Sequence, residues 1–320
     1  MHNLATVLSA TATAFLSLTA IAANAADLAV GKAEAFHQLI AADAKVEKLG
    51  TGMKFVEGPC WIKTDGGWLV FSDIPSNELK KWTAAGGITT WRNPSNNTNG
   101  NLLDQQGRLI SCEHSSRRVT RTNADGTIEV LVNSFYGKKF NSPNDVAVKS
   151  DGTLWITDPP YGIPQGQKQE QAGQNVFRFD PANPDKSTAM TVAIADCDRP
   201  NGLCFSPDEK LLYVADSGKP KHIRVFTVKD DGTLSDGKVF ATLDNGAPDG
   251  IRCDAQGNVW SSAGDGVRVY APNGTWLGTV LTPEGAANLC FGGADGKTLF
   301  ITARTSLYAI PTLTTQALVK

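Results

Sequence analysis

The chain has 320 residues, 41% of them hydrophobic and 19% charged, which is enough apolar content for a substantial core. Its formal charge of -2 and the lack of any Lys/Arg tract exclude the basic footprint of a nucleic-acid binder or of a protein bound to an anionic membrane surface. Small molecules are the expected partners, handled by a monomer or dimer.

The N-terminus, MHNLATVLSATATAFLSLTAIAANA, runs through apolar and small residues from Leu4 to Ala22, and Ala23-Asn24-Ala25 fits a small-x-small cleavage site. A cleaved signal over residues 1–25, cut after Ala25, is expected, and with it a periplasmic or secreted protein. A membrane anchor is the alternative, but the Ala, Thr and Ser content is mild for a spanning helix. The next segment, residues 26–44, contains AEAFHQLIAAD, whose spacing predicts a helical extension packed outside the main domain.

From residue 45 to 320 a single domain is expected, because one pattern recurs six times. The copies begin EGPCWIKTDGGWLVFSD at Glu57, GNLLDQQGRLISCEH at Gly100, PNDVAVKSDGTLWITD at Pro143, PNGLCFSPDEKLLYVADS at Pro200, PDGIRCDAQGNVWSSAG at Pro248 and ANLCFGGADGKTLFITA at Ala287. Each is a polar entrance, an apolar run, a turn and a second apolar run. The turns, such as Asp65-Gly66 and Asp151-Gly152, are hairpin signals. Weaker strands follow each hairpin, as in ELKKWT then ITTWRN. Four short strands per copy, six times, predict an all-β, six-bladed β-propeller of four-stranded blades. The last copy supplies three strands, so Lys45 to Gly50 is expected to add the missing outer strand and close the ring. The Gln-rich insertion at 163–174 reads as a mobile loop.

Six cysteines in an exported chain invite a disulfide reading. Cys60, Cys204, Cys253 and Cys290 instead sit in apolar runs as small buried hydrophobes, and Cys197 and Cys204 are the one pair that could join across a short loop.

In a propeller the first strand of each blade lines the central channel. Aligning the copies predicts an inward ring of Glu57, Asn101, Asn144, Asn201, Asp249 and Asn288. Turn capping explains one or two such residues. Six side-chain oxygens around a channel are better satisfied by one hard, oxygen-preferring cation, most simply Ca²⁺, with Mg²⁺, Mn²⁺ and Zn²⁺ as alternatives. The loops after the second strands surround the ring and carry His114 and Tyr161. Asp73, Asp158 and Asp216 recur at those strand ends, where they are expected to bond loop backbone. Asp145 is expected to face away from the channel and orient Asn144 or the strand entrance.

The motifs EGPCW at Glu57, SPNDVAV with TLWITDPPYG, RPNGLCFSPDEKLLYVADS and APDGIRCDAQGNVW resemble the gluconolactonase, regucalcin (senescence marker protein) and luciferin-regenerating enzyme family over residues 45 to 312, and most closely its bacterial gluconolactonase branch. The resemblance implies a six-bladed propeller with one catalytic divalent ion, often Ca²⁺, held by Glu57, Asn144, Asn201 and Asp249. Ser142 stands where the animal lactonases carry a sugar-binding Arg, so Asn99, Asn101 and His114 become the candidates for that contact, with Tyr161 and Asn288 beside them. The implied reaction is metal-dependent opening of a lactone, with Asp249 as general base or ligand. A phosphotriesterase on the same site and a non-catalytic binding propeller are the competing readings.

Overall fold

The computed structural model describes residues 27–235 and 237–317, so the expected export signal lies outside the described residues. The six predicted hairpins each form the inner half of an antiparallel sheet. In the first blade the strands are Val56–Ile62, Trp68–Asp73, Glu78–Thr83 and Gly87–Arg92, hydrogen-bonded in that order. The innermost strands of the other five blades are Thr98–Leu103, Val146–Val148, Pro200–Phe205, Ile251–Cys253 and Asn288–Gly292. The chain is an all-β, six-bladed propeller.

Burial follows from this geometry. In the first blade six of the seven residues of Val56–Ile62 are buried, whereas none of Gly87–Arg92 is, because only the inner strands are covered by neighbouring sheets on both faces. Large rings knit adjacent blades. Trp155 meets Phe205 edge-on between blades three and four, Trp260 meets Phe291 likewise between five and six, and Trp61 stacks on Phe300 between one and six.

Closure occurs as expected, with Glu47–Thr51 paired antiparallel to Ser306–Pro311 as the outer strand of blade six. The segment 26–44 is less helical than its spacing predicts. Leu28–Val30 instead pairs with Trp276–Leu281 as a fifth strand of blade five, and the helix is only Ala33–His37. The outer strand of that blade offers unpaired backbone groups, and covering them outweighs the helical periodicity. Phe36, fully buried, then packs on Gly278, where a Cβ would lie 2.8 Å from its ring. No described helix is long and apolar enough to cross a membrane.

One further expectation is corrected, and the open question of a Cys197–Cys204 pair is answered. The insertion at 163–174 is tied down rather than mobile. Buried Gln171 donates to the carbonyls of Lys138 and Lys139 at 2.9 and 3.1 Å, and Arg117 donates to Gln167 at 3.0 Å. All six cysteines are free and buried. Cys197 faces Arg224 in the cluster between blades three and four, while Cys204 lies in the cluster between four and five, so the two thiols point to different interfaces.

Candidate active site

Strand register fixes which residues share one depth in the channel. In blades one, two and four the inner strand begins with Val56 opposite Asp73, Thr98 opposite Glu113 and Pro200 opposite Asp216, and each pairing is followed by a one-residue bulge. The equivalent next residues are therefore Glu57, Asn99 and Asn201. Val146, Ile251 and Leu289 match Leu203 in their pairing, which places Asn144, Asp249 and Ala287 in the same layer. Backbone bonds between blades confirm the common depth. Gly100 N–H donates to Asn144 O at 2.8 Å, Gly202 to Asp249 O at 3.0 Å and Gly250 to Ala287 O at 2.8 Å.

The inward ring is thus Glu57, Asn99, Asn144, Asn201, Asp249 and Ala287. Asn101 and Asn288 stand outside it. Asn101 is wholly buried behind the wall, donating to Gly58 O, Ser72 Oγ and Asn99 O while accepting from Ser111 Oγ. Asn288 donates to Glu57 Oε2 at 2.8 Å and accepts from Leu289 N. Neither lines the cavity, so both are supports rather than substrate contacts. The bulge adds a residue that a copy-by-copy alignment does not count. In TNGN it shifts the ring position from the second Asn to the first.

The recurrent aspartates aim the ring. Asp73 accepts from the backbone of Lys54 and Phe55, Asp158 from Asn141 and Ser142, and Asp216 from Asp198 and Arg199. In each blade these amides lie three and two residues before the ring side chain. The expected structural role of the three aspartates is what the geometry shows.

A cavity of about 490 Å³ opens over the ring, and all six ring residues line it together with His114 and Tyr161. Burial, then the charge of Asp145, pushes the Glu57 carboxyl up to about 7. Burial, then Glu57, raises Asp249 well above the usual carboxylate range, although Asn201 bonds to it. Two acids that resist ionising together mark a place that lacks positive charge. Asn99 Oδ1 is a buried oxygen with no partner among the described residues. Hard oxygen donors, two of them carboxylates, fit a divalent cation of the Ca²⁺ type, and Glu57, Asn144, Asn201 and Asp249 are the residues that would hold it. Only two of the donors are acidic, and among the described residues no group of three or more His, Cys, Asp or Glu forms a metal cluster.

Burial lowers His114 to about 4, so its imidazole is neutral at pH 7, and its Nε2 lies 3.3 Å from Asn99 Nδ2. Tyr161 closes one side, with Arg199 over its ring at 5.4 Å.

One pair escaped sequence reasoning. Asp145 does not face away from the channel. It ion-pairs across it with Arg252 of blade five at 3.3 Å, both side chains almost fully buried. Its charge raises both Glu57 and Asp249. Three carboxylates and one guanidinium sum to -2, the charge that one divalent cation neutralises. The only sequence signal was an Arg placed where the neighbouring copies carry apolar residues.

A closed propeller with a polar ring of carboxylate and carboxamide oxygens under an open cavity defines the class of protein. Residues 55–305 match the SMP-30/gluconolactonase/LRE-like family, and the chain belongs to it. A gluconolactonase of Zymomonas mobilis is 30% identical over 339 aligned positions, covering 96% of this chain and 93% of its own length. A regucalcin of Xenopus laevis is 31% identical over 78% of this chain and 83% of its own. The structure of a Xanthomonas campestris gluconolactonase superposes with a TM-score of 0.83 at 36% identity, covering 90% of this chain and 96% of that one.

Proposed function

We propose that the protein is a divalent-cation-dependent lactonase that opens sugar lactones in the central cavity. The observation that carries this reading is the ring itself, where Glu57 and Asp249 stand close enough to oppose each other's ionisation, with carboxamide oxygens completing the layer. Family membership and gluconolactonase relatives at 30% and 36% identity support the choice of lactones as substrates.

When bound, the cation would polarise the lactone carbonyl and stabilise the negative charge that develops there. Asn144 and Asn201 contribute oxygen without cancelling the cation's charge. Asn288 holds the Glu57 carboxylate in place through its 2.8 Å bond. Asn99, with an unpartnered Oδ1, and neutral His114 offer acceptor and donor groups to substrate hydroxyls. Asp249 would help hold the cation, and in this reading its carboxylate takes a proton from the attacking water. Residues 1–25 act as an export signal in this reading, and the mature chain works in the periplasm or outside the cell.

The test is a panel of aldonolactones and an aryl phosphotriester assayed on chelated protein, with Ca²⁺, Mg²⁺, Mn²⁺ and Zn²⁺ restored singly. Lactone hydrolysis that disappears on chelation and returns with one of the ions is expected. Full activity in the chelated protein, or turnover of the phosphotriester alone, contradicts the proposal.

A further inference from the structure

We propose that the blade-six sector of the cavity is an anion subsite, and that the preferred lactones carry a carboxylate or phosphate on the carbon chain remote from the lactone carbonyl. This rests on the lactonase reading. Five blades send an oxygen-bearing side chain into the ring, whereas blade six contributes only the methyl of Ala287. Gly285 and Ala286 continue that wall, so this sector has open volume where the others have donors.

Over the gap stands Arg304, in the turn between Thr298–Ala303 and Ser306–Pro311. It lines the cavity and, with His114 held neutral, is the one cationic side chain among the described lining residues. Its guanidinium makes no salt bridge or side-chain hydrogen bond among the described residues, and it is exposed to the cavity mouth. The carboxylate of the adjoining loop, Glu284, forms no ion pair with it among the described residues. That group accepts from Thr305 N at 3.0 Å, Thr305 Oγ1 at 2.8 Å, Tyr308 OH at 2.8 Å and Ser306 Oγ.

The backbone around Arg304 is fixed. Its carbonyl accepts from Val56 N at 2.8 Å, next to Glu57, and the Glu284 bonds hold Thr305 on the other side. Arg304 itself sits at φ 42°, a left-handed conformation disfavoured for a residue with a Cβ and retained where the surroundings impose it. The Arg304 side chain runs beside Gly285, its Nε lying 3.7 Å from where a Cβ there would sit. An uncompensated guanidinium on a locked turn presents a planar fork that matches carboxylate and phosphate oxygens two at a time. With the ring carboxylates neutralised by a cation, Arg304 sets the sign of the field in this sector.

The experiment measures kcat/KM for three lactones on cation-loaded protein: gluconolactone, the same ring phosphorylated on its terminal hydroxyl, and the same ring with that terminal carbon oxidised to carboxylate. The expected result is a preference for at least one anionic lactone over the neutral one by about ten- to a hundredfold, the range of a charge-assisted contact. In R304Q that ratio collapses toward one, and R304K retains part of it. The two anionic substrates distinguish phosphate from carboxylate as the natural group. A wild-type ratio near one, or a ratio unchanged in R304Q, overturns the proposal while leaving the lactonase reading intact. If none of the three is hydrolysed, the lactonase reading fails, and calorimetry with the ring-opened acids decides the subsite. Extra affinity for the acids that carry the second anionic group, lost in R304Q, supports it, and equal affinity overturns it.

Discussion

Asn288 Nδ2 donates to Glu57 Oε2 at 2.8 Å, joining the sixth blade to the first across 231 residues of sequence. The other Glu57 contact to Oε2 is Gly58 N at 2.5 Å, so the carboxylate is oriented by one amide of its own strand and one carboxamide of the neighbouring blade. Partners that orient a ligand typically affect metal affinity or activity by about 10–100-fold. Asn288→Ala is expected to weaken Ca²⁺ binding within that range, read by calorimetry, with the circular dichroism of the native protein preserved. An unaltered affinity would show that Glu57 needs no such support.

The Asp145–Arg252 pair gives a second expectation. Arg252 Nη1 also donates to Ile251 O at 2.7 Å, while Nε and Nη2 have no partner among the described residues. Removing one member of a buried ion pair strands the other charge and costs about 3–5 kcal/mol. Arg252→Leu should therefore lower unfolding stability by about that amount in urea, and Asp145→Asn added to it should recover a large part. Additive losses in the double variant would mean that the two charges do not stabilise each other.

How much of this was legible in the sequence depends on the range of the interaction. The blades were, because Asp-Gly and Gln-Gly turns between apolar runs are local signals repeated six times. Glu57, Asn144, Asn201 and Asp249 were legible as inward residues for the same reason, since each stands at the entrance of an inner strand, either second within it or two residues before it. Asn99 was placed near the substrate but not in the ring. Asn101 was misplaced because the bulge at Gly100 shifts register, and Asn288 because the inner pair of blade six runs without the extra residue that blade four carries at Gly202. Asp145 and Arg252 are 107 residues apart and meet across the channel, past the intervening fourth blade. No local periodicity encodes that contact. The insertion misled because its glutamines look solvated, yet Gln171 Nε2 satisfies backbone carbonyls of a neighbouring hairpin.

Those bulge glycines carry an expectation of their own. A Cβ at Gly202 would lie 2.3 Å from Asp249 O, and one at Gly100 would lie 2.5 Å from Asn144 O. Both obstacles are backbone, and both are the carbonyls that receive the inter-blade bonds. Gly202→Ala is therefore expected to separate blades four and five at the ring, costing about 1–3 kcal/mol through overpacking and weakening Ca²⁺ binding as Asp249 shifts. Thermal unfolding and calorimetry together check this. A variant with native stability and affinity would mean that the blades part there without effect.

The last expectation concerns pH. Without a cation, the folded protein holds the Glu57 proton up to about 7, against 4.5 for an ordinary Glu, because burial and then Asp145 disfavour the charged form. Asp249 is shifted in the same direction by burial and by Glu57. A carboxyl whose pKa is higher folded than unfolded makes the folded state bind the extra proton, so its contribution is fully present below the unfolded value and is lost as pH rises through about 7. Chelated protein is therefore expected to unfold at a lower denaturant concentration at pH 8 than at pH 5.5. Adding Ca²⁺ should reverse the slope, since the cation stabilises the ionised pair and competes with protons at low pH. Glu57→Gln removes one titrating group and should flatten the chelated profile. A chelated protein whose stability rises from pH 5.5 to 8 would show that the two carboxylates do not oppose each other's charge, and the electrostatic case for a cation in the ring would fall with it.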